Sequence, residues 1–172
     1  MQAYMSTRLA IMLAAAGFII VVTAGIAAYL GVRLLTDGES RQEEVAARGA
    51  LVMPFDLDKT THVFKKTDDG GVQTVTANDP ADTEQVALIR SHLQGEMDRF
   101  SDGDFGDPAS IHGDEMPGLR ELEERAAELR LEYRELPDGA SIVYTSEAGD
   151  VIAALHVWFD AQLADHGSHA HG

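Results

Sequence analysis

Two histidines in this sequence each precede a carboxylate by four residues, a spacing that suits metal binding. His92 is followed by Glu96, and His156 is followed by Asp160. Residues four apart are neighbours on one face of a helix. Imidazole and carboxylate ligands together suit zinc, iron, copper or nickel. If the two helices pack with these faces together, the four side chains predict a transition-metal site. The alternative is that each histidine lies at the core boundary and has a hydrogen-bond partner.

Further candidate metal ligands lie in a central loop and in the C-terminal tail. His112 and Met116 belong to a stretch rich in Gly, Pro and Asp, and a thioether ligand would favour copper. Closely spaced imidazoles bind nickel, copper or zinc even in disordered peptides. The tail contains three such residues, His166, His169 and His171. Its alternative interpretation is a solvated, frayed terminus. Copper or another transition metal is therefore the one cofactor that the sequence suggests.

Sequence motifs for catalysis are absent. The chain has no glycine-rich phosphate loop, no G-x-S-x-G and no H-E-x-x-H. It also has no cysteine, which excludes a thiol nucleophile. The net charge is −16, with 13 basic against 29 acidic residues, so a phosphate-binding surface is not expected. We predict no catalytic residues and no nucleic-acid partner.

The N-terminal segment is apolar, and residues 9–32 contain no charged side chain. A helix of this length, at about 1.5 Å rise per residue, crosses a hydrocarbon core of about 30 Å. Because the segment is longer than a signal-peptide core, we predict a transmembrane anchor over residues 1–35. We place it in the cytoplasmic membrane, with the C-terminal domain on the extracytoplasmic side. Small residues at helical spacing predict a packing face against another helix: Ala10, Ala14, Gly17, Ala24, Gly25 and Ala28.

The remaining sequence predicts an α+β domain over residues 53–167, after a charged linker or helix extension over 36–52. Two β-rich hairpin patterns turn at Asp-Gly dipeptides, and each is followed by an apolar helical stripe. The order β-β-α-β-β-α predicts a four-stranded antiparallel sheet with helices on one face. Residues 168–172 form the His-rich tail. Trp158 lies one position off the core stripe of the last helix, so we predict that it contacts a partner.

From Met53 onward the sequence resembles a family of small bacterial proteins. The stretches that carry the resemblance are MPFDLDKTTHVF, GGVQTV, GDFGDPASIHGDEMPGL, LPDGASIVYT and ALHVWFDAQLADHG. Members of this family are often labelled aspartate carbamoyltransferase. That label is an error for this chain, because it is too short and lacks the Ser-Thr-Arg-Thr loop that binds carbamoyl phosphate. The resemblance implies one domain starting near Met53 and assigns no functional residue.

Together these features favour an accessory subunit anchored by a single membrane-spanning helix. Its helix would pack into a larger integral-membrane complex of respiratory or photosynthetic type within the lipid bilayer. Its acidic domain would cap that complex on the extracytoplasmic side. The alternative is a tethered transition-metal protein, for copper, that uses the histidine and methionine residues named above.

Overall fold

The computed structural model describes four stretches of the chain: residues 26, 29–33, 36–167 and 170–172. The chain divides into two compact units, Met1–Ser40 and Arg41–Gly172. The described residues of the first unit are helical and exposed. The second unit contains the sheet, the core and every candidate site discussed below.

The structure contradicts the predicted membrane anchor. Within the described residues, no helix is both long enough and apolar enough to cross a membrane. This finding corrects the predicted transmembrane helix, the single-pass topology and the location in the cytoplasmic membrane with an extracytoplasmic domain. Most of the predicted span lies outside the described residues. The same holds for all six residues of the predicted helix-packing face: Ala10, Ala14, Gly17, Ala24, Gly25 and Ala28.

The second unit has helices distributed along its length. Asp82 caps α2 by accepting a hydrogen bond from the backbone N–H of Gln85, which fixes the start of that helix. Short 3₁₀ turns cover Leu57–Lys59 and Ala126–Glu128. The helices are α1 (residues 41–52), α2 (Thr83–Ser101), α3 (Gly106–His112), α4 (Leu119–Glu124) and α5 (Gly149–His166).

The sheet is mixed and has five strands, so the predicted four-stranded antiparallel sheet is wrong. The strands are β1 (Thr60–Thr67), β2 (Gly70–Ala77), β3 (Arg130–Leu136), β4 (Gly139–Thr145) and β5 (Ala170–His171). Their order across the sheet is β3-β4-β2-β1-β5. The first four pair antiparallel, whereas β5 runs parallel to β1.

The fifth strand forms because the chain reverses after α5. Gly167 takes a φ of +54°, a left-handed conformation that glycine adopts without steric cost. The tail then returns alongside β1, where Ala170 lies opposite His62 and is buried. A two-residue strand shows no alternation in the sequence, so only tertiary packing reveals it.

One face of the sheet forms the core with the helices. Phe64 of β1 and Tyr144 of β4 both contact the ring of Phe159 on α5. The second unit begins at Arg41, and Val45 of α1 is buried in it, only 1% exposed. The packed helices and this sheet face therefore enclose an interior in which polar side chains can be positioned.

Candidate metal centre

An interior cavity of about 30 Å³ lies between the sheet and helices α2, α3 and α5. A buried water needs roughly 10–15 Å³, so this space suits an ion with one or two water-sized groups. Pockets for drug-sized ligands measure roughly 300–1,000 Å³, so an organic substrate of that size does not fit. The polar residues of its wall are His62, Gln73, His92, Glu96, Asp107, His112, Gln162 and His166.

Three of these residues form a cluster with the geometry of metal ligands. His92 and Glu96 lie one turn apart on α2, and Asp107 lies in the first turn of α3. One ligand atom of each residue lies within 4.8 Å of the other two. Glu96 is buried, and the other two are half-buried. Small side-chain rotations would therefore bring one nitrogen and two oxygens around a single ion.

The turn between α2 and α3 brings Asp107 back to the α2 pair. Phe100, near the end of α2, stacks on Phe105, with ring centroids 4.4 Å apart and an interplanar angle of 5°. Gly103 takes a φ of +80° between them, which allows the tight reversal. Pro108 lies in the first turn of α3, where a backbone N–H has no acceptor within the helix and its absence costs nothing. The aromatic stack therefore determines where Asp107, the second carboxylate of the cluster, lies.

Burial sets the protonation of the cluster. It lowers the pKa of His92 to about 4, so the imidazole is neutral at pH 7 and can donate a lone pair to a metal. Burial and a hydrogen bond with Asp107 raise the pKa of Glu96 to about 8, against the opposing effect of Arg99. One Arg99 nitrogen, Nη2, donates to Glu96 and to Asp107 Oδ2, the latter at 2.7 Å. A cation thus already holds both carboxylates together.

A second set of hydrogen-bonded side chains, formed by His112, Asp165 and Arg41, reaches the same cavity through His112. Its Nδ1 donates to Asp165 Oδ2 at 2.8 Å, and Arg41 of α1 donates to both oxygens of that carboxylate. Burial lowers the pKa of His112 despite this hydrogen bond, so its ring is neutral. Burial alone would raise the pKa of Asp165, but the hydrogen bonds from Arg41 and His112 hold it below its ordinary value. The ring of His166 lies 5.1 Å from the His112 ring. Both histidines line the cavity but lie outside the three-residue cluster.

The predicted union of the two His–carboxylate pairs does not occur. His156 Nε2 donates to the carbonyl oxygens of Thr67 and Gly70, at 3.1 and 2.8 Å, and so caps the first hairpin. Asp160 is exposed and forms an ion pair with Lys66. Neither residue lines the cavity. The structure therefore does not bring His156 and Asp160 together with His92 and Glu96.

The remaining predicted ligands also lie apart from the cluster. Met116 is buried in the core and does not line the cavity, whereas Met53 does. The thioether of Met116, which suggested copper as the metal, therefore lies outside the cavity. His171 is exposed on β5, and His169 lies outside the described residues.

Trp158, predicted to contact a partner, is buried in the structure. Its side chain is 0% exposed. The indole packs edge-on against Phe100, Phe105 and Tyr144, with centroid separations of 6.0 to 6.1 Å. The residue instead lines the cavity from α5.

Among the cavity residues that sequence reasoning does not single out, Asp107 and His62 have signals in the sequence. Asp107 lies in a stretch assigned as a loop, but a proline directly after it is typical of the first turn of a helix. His62 lies between two other buried residues of β1, Thr60 and Phe64, at the period of two that marks one face of a strand.

Comparison of the chain with protein-family models, with curated proteins and with solved structures finds no match. Function is therefore inferred from the chemistry of the cavity.

Proposed function

We propose that the protein binds one divalent transition-metal ion through His92, Glu96 and Asp107. The observation that carries this proposal is the position of their ligand atoms, within 4.8 Å of one another on the wall of a cavity with room for an ion. One imidazole and two carboxylates form a borderline donor set, which suits Zn(II), Fe(II) or Mn(II). Cu(I) prefers thiolate and thioether ligands, which this cluster lacks.

Binding has two costs that the structure identifies. The ion must displace the proton that Glu96 retains at neutral pH, and it must compete with Arg99 for both carboxylates. In return, the neutral His92 supplies a lone pair without losing a proton. Three protein ligands also leave at least one coordination position open.

The test is a zinc titration of the full-length chain. The last two histidines, His169 and His171, are first replaced in a background variant, His169→Gln/His171→Gln, because loose binding at the C-terminus would obscure the count. After treatment with EDTA and desalting, zinc is titrated against a chromophoric chelator. We expect one tight equivalent per chain. Less than a tenth of an equivalent would refute the proposal.

Three further variants identify the ligands. His92→Gln and Asp107→Asn should each weaken zinc binding by about 100-fold or more, because loss of even an outer-shell partner costs roughly 10–100-fold. His156→Gln removes an imidazole of α5 that does not line the cavity and is the matched control. It should retain the tight site. Tight binding that persists in both ligand variants would place the metal elsewhere and overturn the proposal.

A further inference from the structure

Two residues that line the cavity each carry a buried polar atom with no hydrogen-bond partner among the described residues. The two atoms are the indole nitrogen of Trp158 and the amide oxygen of Gln162. Trp158 is 0% exposed and Gln162 is 5% exposed, so bulk water does not satisfy either group. An unsatisfied buried polar group costs roughly 1–3 kcal/mol, which makes two on residues that line one cavity a feature that requires explanation.

The two atoms are complementary in chemistry. Trp158 Nε1 can only donate a hydrogen bond, and Gln162 Oε1 can only accept one. The residues lie four apart on α5 and so share one face of the helix. They line the same cavity as His92, Glu96 and Asp107. An oxygen ligand that accepts from the indole and donates to the amide would satisfy both, while a further lone pair remains for a metal.

We propose that the metal ion in this cavity has an open coordination position, and that Trp158 and Gln162 bind the exchangeable oxygen ligand at that position. This inference rests on the proposed metal site. The resident ligand is water or hydroxide, which has the required donor and acceptor groups. The volume of about 30 Å³ limits its replacements to ligands of two or three heavy atoms, such as peroxide or a small inorganic anion. Trp158 and Gln162 are positioning residues in this arrangement.

The experiment uses the zinc-loaded full-length protein and azide as the probe. Trp158 is the single tryptophan of the chain, so the indole N–H gives one proton–nitrogen resonance in an NMR spectrum. If azide replaces the zinc-bound water, the indole donates to the anion, and this resonance should move downfield and saturate with azide concentration. The wild-type protein is sufficient for this measurement, so it does not depend on whether a variant folds.

Two variants should differ in their affinity for azide. This affinity is measured by titrating azide into the Co(II)-substituted protein and following its visible absorption bands. Trp158→Phe removes the donor and should weaken azide binding by about 10-fold or more. Gln162→Met removes an acceptor that azide, having no hydrogen, cannot use. It should leave azide affinity unchanged or raise it. Phe159→Leu alters a buried α5 residue that does not line the cavity, and is the packing control.

The outcomes separate the two proposals. Zinc binding with no azide-dependent shift of the indole resonance would overturn the open position and leave the metal site standing. Equal loss of azide affinity in Trp158→Phe and Gln162→Met would also overturn the positioning roles, since packing alone would explain it. A protein that binds no zinc would refute the metal site itself.

Discussion

Glu96 should make the metal-free protein less stable as the pH rises from 7 to 9. The folded state raises the pKa of this carboxyl from its ordinary value of 4.5 to about 8 because the side chain is buried. In the unfolded chain it is ionised throughout this range. The folded state therefore retains a proton that the unfolded state lacks, and this stabilising contribution disappears as the pH passes through 8.

The size of the effect follows from the distance between each pH and the folded-state pKa. One pH unit below it, at pH 7, proton retention by Glu96 is worth about 1.4 kcal/mol, and at pH 9 it is worth about 0.1 kcal/mol. The predicted loss is therefore about 1.3 kcal/mol. His92 and His112 contribute little, because burial lowers the pKa of each and the unfolded imidazoles are nearly neutral above pH 7.

The assay is urea denaturation at pH 7, 8 and 9 in the presence of EDTA. Glu96→Gln imitates the protonated acid, because its amide oxygen accepts from Arg99 and its amide nitrogen donates to Asp107. This variant should lose the pH dependence. Glu128→Gln removes an exposed carboxyl that Arg125 binds, and should retain it. A wild-type stability that is constant from pH 7 to 9, or an equal fall in Glu96→Gln, would refute the assignment.

Three other substitutions test the surroundings of the cavity. Arg99→Gln should tighten zinc binding by about 10-fold in the chelator titration, because the guanidinium competes for both carboxylates; unchanged affinity would count against those ligands. Asp165→Asn should lower the free energy of unfolding by about 2 kcal/mol in urea, because Arg41 and His112 lose a charged acceptor. Gly118→Ala should cost about 2 kcal/mol or more in the same assay, because the glycine has a φ of +81° and a Cβ would lie 2.3 Å from a carbonyl oxygen of α5. A loss below about 0.5 kcal/mol in either case would contradict these packing assignments.

Features set by neighbouring residues could be predicted from the sequence. The two hairpins follow from β-rich runs on either side of Asp-Gly, although the loop residues are Asp68–Asp69 and Pro137–Asp138 and each glycine begins the second strand. The start of α2 follows from Asp82 ahead of an apolar stripe. The His92–Glu96 half of the cluster is equally local, because one helix carries both residues. The strand at Ala170 could not be predicted, because it exists only through pairing with β1.

The rest of the site depends on contacts between elements. Asp107 reaches α2 through the Phe100–Phe105 stack, which no spacing rule describes. Trp158 was assigned to the surface because it lies off the main stripe of α5. In the structure, Gly118 immediately precedes α4 and lies so close to α5 that a Cβ on it would be 3.0 Å from the backbone nitrogen of Trp158. The start of α4 therefore covers the side of α5 that carries Trp158. A helix packed on two sides has a wider buried face than one stripe predicts.

The short β5 strand also has a consequence for self-association. An uncovered strand edge presents N–H and C=O groups that can template pairing with another molecule, a route to aggregation. At one edge of the sheet, β3 has exposed charged side chains at Arg130, Glu132 and Arg134, which oppose such pairing. At the other edge, β5 lies alongside His62 and Val63 of β1. A chain shortened by its last few residues would lose this cover, and its β1 edge would be open to a second copy.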